Sequence, residues 1–256
     1  MDHWRLLPLS AGDAFWNMAV DEAILEHCKC GKAANTLRLY RWQPSAVSIG
    51  RNQAIQDEVN LDKAAELGID VVRRASGGGA VFHADKGEVT YSVVVNERLI
   101  PKAKGPELFF KLARGISVTL SELGLSVEEE TIHCPSIFVR ERKISGNAQA
   151  QRGEAILQHG TLLLSYDPDL MYTVLKTTGQ RTKRKMVQSV FQHVTTLEQE
   201  LGYLPTQEKI AATLVNGFQK SFGVPLIQGK LSDEEISLAN QLKEEKYGSP
   251  EWTFKY

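Results

Sequence analysis

Three short stretches hold residue types whose order and spacing could do chemistry. The first is Arg73-Arg74-Ala75-Ser76-Gly77-Gly78-Gly79-Ala80-Val81-Phe82-His83. Consecutive glycines cost chain entropy and add no packing. They make sense where backbone N–H groups must approach a phosphate or carboxylate closely. Arg73 and Arg74 add charge of the right sign and a two-pronged geometry. The same residues also read as a flexible hairpin with solvated arginines. No Gly-Lys-Ser/Thr follows, so the stretch is not a P-loop, and a strand rather than a helix follows, so it is not a dinucleotide fingerprint. The second stretch is Arg142-Lys143-Ile144-Ser145-Gly146-Asn147-Ala148-Gln149. A lysine on a strand before a small polar turn can set an ammonium against an anion, or it is an ordinary charged strand end. The third is Gln158-His159-Gly160-Thr161, between the apolar runs AIL and LLL. His159 either lines a pocket or is a hydrogen-bonded structural histidine.

The flanking sequence supplies elements to position them. Residues 14–29 place Phe15, Met18, Ala19, Ala23 and Ile24 near helical spacing, with Asp13 as N-cap. LRLYRW (37–42) alternates as a half-buried strand does. AVSIG (46–50) and GIDVVRRA (68–75) read as further strands, and AVFH (80–83) continues after the glycines. In residues 88–95, Val89, Tyr91, Val93 and Val95 share one face. A helix is expected over 106–123, with Phe110, Ala113, Ile116 and Leu120 as its stripe. Residues 136–166 read as three strands with turns at Arg140-Glu141 and Arg152-Gly153. Beyond 168 the pattern turns helical, with Gly223 as a C-cap and Ser232/Glu235 as a capping box. The expected class is α+β around a mixed, mostly antiparallel sheet flanked by helices.

Composition narrows the function. The chain has 256 residues, 42% hydrophobic and 24% charged, enough for a proper core and too apolar for wholesale disorder. A net charge of -1 disfavours binding nucleic acid by bulk charge. No apolar run approaches a membrane span, and MDHWRLLPLS reads as no secretion signal. Three cysteines cannot form a disulfide framework, so a cytoplasmic setting is expected. Cys28-x-Cys30 fits no common metal spacing.

Taken in order, RRxSGGGAVFH, RKISGNAQ and QHGTLLL resemble the lipoate–protein ligase A family and its relatives, the LipM-type octanoyltransferases. DAFWNMAVDEAIL resembles the family's first helix, LRLYRWQPSAVSIGRNQ its first strands and EEKYGSPEWTFKY its C-terminal end. The resemblance implies one catalytic domain over 1–256, helical from about 168, with the fold shared by biotin–protein ligases. The GRGR-type loop of the biotin enzymes is absent. By resemblance, Arg73, Ser76, Gly77, Gly78, Gly79, Ala80 and His83 line the acyl and phosphate site. Lys143 matches the family's central lysine, which contacts the acyl carboxylate and α-phosphate. Ser145, Gly146, Asn147, His159, Gly160 and Thr161 surround nucleotide and acyl group.

The resemblance implies two activities. A ligase joins lipoate and ATP into lipoyl-AMP, with Mg²⁺ as the phosphate counter-ion, and passes the lipoyl group to a lysine of a lipoyl domain. The acceptors are lipoyl domains of 2-oxoacid dehydrogenase complexes or the glycine cleavage H protein. An octanoyltransferase takes octanoate from acyl carrier protein through a cysteine thioester and uses no ATP. Cys134, nine residues before Lys143, is the candidate nucleophile. The LipM-type cysteine lies on a longer loop further upstream, and CPSIFV is closer to the ligases' short segment. RTKRKMVQSVFQHVTTLEQEL (181–201) resembles a ligase adenylate segment with Lys185, Ser189, Val190 and Val194 in register, although Phe191 and His193 replace its usual arginines. The basic residues there also suit docking of an acidic partner. The length lacks room for the accessory domain of larger ligases, which some relatives receive as a separate small chain. The sequence reading therefore expects the ligase first and the octanoyltransferase second. A non-catalytic lipoyl-domain or acyl-binding protein comes third. No metal ligand is assigned.

Overall fold

The computed structural model describes residues 3–99, 106–129, 136–176 and 193–256. Cys134 and Lys185, with the basic run around Lys185, lie outside the described residues. The strands are β1 (Trp4–Gly12), β2 (Thr36–Trp42), β3 (Ala46–Ile49), β4 (Asp70–Arg73), β5 (Val81–His83), β6 (Glu88–Asn96), β7 (Glu128–Glu129), β8 (Ser136–Val139), β9 (Arg142–Arg152), β10 (Ala155–Leu163) and β11 (Leu226–Gln228). The helices are α1 (Ala14–Lys29), α2 (Ile55–Glu58), α3 (Leu61–Glu66), α4 (Pro106–Glu122), α5 (Pro168–Val174), α6 (Leu197–Leu201), α7 (Gln207–Phe222), α8 (Asp233–Leu242) and α9 (Pro250–Thr253).

Eight strands form one sheet in the order β11-β1-β2-β6-β10-β9-β8-β7, and β4-β3-β5 form a second. β1 runs parallel to β11 and β2, and β3 parallel to β4; the other pairs are antiparallel. The class is α+β with a mixed sheet flanked by helices.

The large sheet has two unlike faces. On one, Val89, Tyr91, Val93 and Val95 of β6 and Ile156 and Leu162 of β10 meet α4 and α7. Leu108, Leu112, Ile116 and Leu120 of α4 and Ile210, Leu214 and Phe218 of α7 are fully buried there. Each such side chain contributes roughly 1.5–3 kcal/mol by leaving water. The α4 stripe thus begins at Leu108 and Leu112, and Phe110 is only half-buried, because the helix turns its 108/112/116 row to the sheet. On the other face α1 covers Tyr40, Trp42, Val94 and Leu157.

The local signals explain most ends. The Asp13 carboxylate accepts from the Trp16 N–H and starts α1. Gly223 takes the left-handed conformation and stops α7. Ser232 and Glu235 form the reciprocal capping box of α8. Arg140 and Glu141 both have positive φ, the two-residue turn that joins β8 to β9.

Two expectations change, and one strand goes unread. β2 is not half-buried. Its arginine face lies under α1, so Arg38 is buried as deeply as Leu37 and Leu39. Residues 4–12 form a strand whose apolar alternation is too weak to read. The region beyond 168 also contains β11, three residues that pair with β1 and too short to carry a period.

Candidate functional site

Lys143 owes its direction to an irregularity of pairing. Ile137 faces Ser145 across β8–β9, but Phe138 faces Lys143, so Ile144 is an extra residue. A strand alternates faces with period two, and one inserted residue re-aims its neighbours. The bulge sinks Ile144 into the apolar core, fully buried. It turns Lys143 to the face of Gly146. A Cβ on Gly146 would stand 3.1 Å from the Lys143 Nζ. Glycine at 146 therefore leaves room for the lysine to lie over the strand. The Lys143 carbonyl accepts from the Thr195 N–H at 2.9 Å, which fixes the backbone on its other side.

Lys143 opens onto a cavity of about 510 Å³ between the α1-side of the large sheet, β5, the glycine loop and α5. That volume lies within the ~300–1,000 Å³ of small-molecule sites. Of the residues expected from sequence, Gly78, Gly79, Ala80 and His83 line it from the small sheet. Lys143, Ser145, Gly146 and Asn147 line it from β9, and His159, Gly160 and Thr161 from β10. The register explains the meeting. Gly146 pairs with Thr161, Asn147 with Gly160, and Ala148 with His159. Asn147 turns its side-chain oxygen toward the other face, where the Tyr91 hydroxyl donates to it.

Arg73, Ser76 and Gly77 do not line the cavity. Arg73 is fully buried and donates to the carbonyls of Gly50, Arg51, Gln53, Trp252 and Thr253 at 2.7–3.1 Å. With its donors on backbone oxygens it is a structural clamp, not an anion ligand. Arg74 is buried too, but lies on the cavity wall. It donates to the carbonyls of Gly77 (2.7 Å) and Gly79 (2.8 Å), to Ser48 and to the Ser76 hydroxyl. Burial brings its pKa down to about 10, so it remains cationic at neutral pH. Its guanidinium draws the loop carbonyls inward. The N–H groups of Gly78, Gly79 and Ala80 are left without a hydrogen bond among the described residues. Gly78 has φ +94, which favours glycine, whereas a Cβ at Gly77 or Gly79 would meet nothing within 4 Å.

Beneath the cavity runs one connected polar chain. Asp21 accepts from Arg38 (2.7 Å), Tyr40 (3.1 Å), Ser92 (2.8 Å) and the His159 Nδ1 (3.4 Å). The Ser76 hydroxyl lies 2.6 Å from the His159 Nε2, and Arg74 links it to Ser48. Ser48 meets the His83 Nε2 at 2.8 Å, and His83 Nδ1 meets Glu88 at 2.8 Å. Thr90 donates to Glu88 and accepts from the Trp42 indole, which stacks on His83 at 4.0 Å. Burial pushes the Asp21 carboxyl up, but Arg38 and the hydrogen bonds of His159 and Ser92 outweigh it and hold it below the usual carboxylate range. Burial pulls His159 below the usual histidine value despite Asp21. His159 is therefore neutral, with Nδ1–H toward Asp21, and accepts from Ser76.

Sequence reasoning misses several of these residues. Asn17 and Asp21 sit at i, i+4 in α1, the spacing of one helical face. Arg38 between Leu37 and Leu39 is their visible partner. Trp42, Met18 and the α5 residues Met171 and Tyr172, with Leu175 just beyond, also line the cavity and carry no local signature. Among the described residues, no group of three His, Cys, Asp or Glu side chains could hold a metal ion. No helix among them is long and apolar enough to cross a membrane.

The chain is 35% identical to the octanoyltransferase LipM of Brevibacillus brevis over the whole of both chains. It is 34% identical to that of Moorella thermoacetica over 97% of each. Among solved structures, the bipartite lipoate protein ligase of an archaeal lipoylation system from Thermoplasma acidophilum superposes with TM-score 0.87 at 28% identity, covering 99% of this chain and 96% of that one. A lipoate-protein ligase A bound with ATP superposes with TM-score 0.84 at 28% identity over 98% of each. The family model described as "Lipoyl protein ligase A/B catalytic domain" matches residues 13–219, a span that holds every cavity residue named above, and the chain is an enzyme of that family.

Proposed function

We propose that this enzyme transfers a medium-length acyl group to the ε-amine of a lysine on a lipoyl domain, with octanoyl carried in as a thioester. The observation that carries the reading is Lys143, turned by the Ile144 bulge onto a cavity that Gly78, Gly79 and Ala80 also line, with N–H groups that make no hydrogen bond among the described residues. Acyl transfer builds negative charge on the carbonyl oxygen, and a fixed ammonium with backbone N–H groups stabilises it best where water is excluded. Full-length similarity to octanoyltransferases supports the thioester donor.

The steps balance without a nucleotide. The Cys134 thiolate attacks the thioester carbonyl of octanoyl–acyl carrier protein. The carrier sulfur leaves as its thiolate and takes up the proton that Cys134 gave up, and octanoyl stays on Cys134. The acceptor amine then attacks, the amide forms, and the Cys134 sulfur leaves and takes up the proton lost by the amine. Lys143 stabilises the thiolate and both tetrahedral oxyanions.

The second reading is lipoate activation by ATP, supported by the likeness to lipoate-protein ligase A bound with ATP. Lipoate carboxylate then attacks the α-phosphate, pyrophosphate leaves, and the acceptor lysine displaces AMP. Lys143 would hold the carboxylate and α-phosphate. Mg²⁺ would arrive with the nucleotide and take oxygen ligands from its phosphates.

Intact-mass analysis of a lipoyl domain separates the two. One reaction holds octanoyl–acyl carrier protein without nucleotide; the other holds lipoate, ATP and Mg²⁺. An octanoyl shift in the first supports the transferase and makes Cys134→Ser inactive. A lipoyl shift confined to the second moves the assignment to the ligase. No shift in either, with a separate accessory chain also supplied, would refute acyl transfer.

A further inference from the structure

We infer that the C-terminal turn of the chain, α9, is a positioning element for the glycine-rich loop, acting through Arg73 and the turn 50–53. The kinetic part of this inference rests on the acyl-transfer reading of the cavity; the structural part does not.

The connection is a contiguous set of contacts. Trp252 of α9 donates from its indole Nε1 to the Arg73 carbonyl at 2.8 Å. Arg73 returns the contact, donating from Nε to the Trp252 carbonyl (2.9 Å) and from its Nη2 to the Thr253 carbonyl (2.8 Å). The remaining nitrogen of the same guanidinium grips Gly50 (3.1 Å), Arg51 (3.1 Å) and Gln53 (2.7 Å) through their carbonyls. One planar cation thus ties the C-terminal turn to residues 50–53. Arginine suits this because its five N–H donors lie in a fixed fork.

The turn 50–53 bears in its own right on the glycine loop. A Cβ at Gly50 would stand 1.9 Å from the Gly78 carbonyl oxygen, so the two backbones are in direct contact. The Arg51 N–H donates to the Ser76 carbonyl at 2.9 Å, and the Arg74 N–H to the Ile49 carbonyl at 3.0 Å. Gly78 is the loop residue with the left-handed φ. Its neighbours are held by the next residue in the chain after Arg73. Arg73 faces the C-terminal turn and Arg74 faces the loop, so the RR pair couples the two.

Ser249 caps α9 by accepting from the Trp252 N–H. Lys246 sits 4.3 Å from the Trp252 ring centre and donates to buried Glu22 at 2.6 Å, which fixes the approach of α9 to the body. Arg73 and Trp252 are positioning residues: neither lines the cavity.

The test uses the full chain with Trp252→Ala, Trp252→Phe and Ser249→Ala. Amide hydrogen exchange at Arg51, Gln53 and Arg74 is read against the β6 and β10 amides, alongside KM and kcat for acyl transfer. Trp252→Ala should speed exchange at those three amides about tenfold and raise the acyl-donor KM about tenfold, since small misplacements at a reacting site cost up to ~100-fold. The β6 and β10 amides and kcat should change little. Trp252→Phe, which keeps the ring and loses the N–H, should fall between. If Trp252→Ala does not fold, Ser249→Ala should show the same local pattern at smaller size. Exchange at Arg51, Gln53 and Arg74 equal to wild type in a folded variant would overturn the inference. Wild-type protein inactive with both donors would sink the acyl-transfer reading instead, and the exchange data would still decide the positioning.

Discussion

β6 contrasts the two faces of the sheet within nine residues. Its odd positions, Val89, Tyr91, Val93 and Val95, pack into the apolar core under α4 and α7. Of its even positions, Glu88, Thr90 and Ser92 are just as buried but belong to the polar chain beneath the cavity, while Val94 packs under α1. Burial is equal and chemistry is opposite. The apolar face gains from area removed from water and tolerates repacking. The polar face depends on every donor meeting an acceptor, because an unpaired buried polar group costs far more than a pair gains. Both faces add stability, and Glu88 and Thr90 of the polar face also line the cavity.

The contrast breaks most sharply at Lys143. Lys143→Ala should lower acyl transfer by about 10²–10³-fold, the scale of a lost oxyanion partner. Its melting temperature should stay near wild type. Single-turnover assays with a circular dichroism melt check this, and a parallel loss of fold would remove the distinction.

The next effect compares matched losses across the sheet. Phe218→Ala, on the apolar face, should cost about 3–5 kcal/mol and leave kcat/KM of the folded protein unchanged. Asp21→Ala strips buried Arg38 of its carboxylate and should cost a similar ~3–5 kcal/mol. It should also alter KM, because His159 and Ser76 lose their anchor. Urea titrations and initial rates on both variants test the pairing; equal kinetics in the two would erase it.

A smaller effect isolates ligand approach from folding. Gly79→Ala meets no protein atom within 4 Å. Stability should move by no more than about 0.5 kcal/mol, while the acyl-donor KM rises about tenfold as the new methyl blocks the backbone N–H groups. An unchanged KM would mean that substrate does not approach that wall.

The smallest effect is in pH. Folded His159 is held below its unfolded value of 6.5. Below that pH the unfolded chain binds the extra proton, so stability is complete above about 6.5 and declines as pH falls toward the folded value. Depressed Asp21 adds a second decline, present above its unfolded value of 3.8 and lost as pH falls through the lower folded one. Urea midpoints against pH should lose the first decline in His159→Gln.

Much of this is legible in the sequence, and the limits are physical. Periodicity and caps give α1 with Asp13, α7 with Gly223 and the three strands β8 to β10, because local signals dictate local structure. The motifs RKISGNAQ and QHGT hold residues that the β9–β10 register brings together, and the loop of RRASGGGAVFH lines the same cavity from the small sheet. Arg73 reads as part of the anion site because a sequence cannot show which of two adjacent arginines meets backbone carbonyls 179 residues away. The Ile144 bulge is invisible for a similar reason: register is a property of two strands. Arg38 misleads as a solvent-facing strand position because its partner, Asp21, comes from another element.

The acyl group is expected to react at the cavity end held by Lys143. A crystal structure of the protein with octanoate bound tests it most directly. The octanoate carboxylate should lie at hydrogen-bond distance, about 2.7–3.2 Å, from the Lys143 Nζ, with its chain in the cavity beside Trp42, His83 or Met171. A carboxylate bound away from Lys143, or a Lys143 side chain on the α4 face of the sheet, would contradict it.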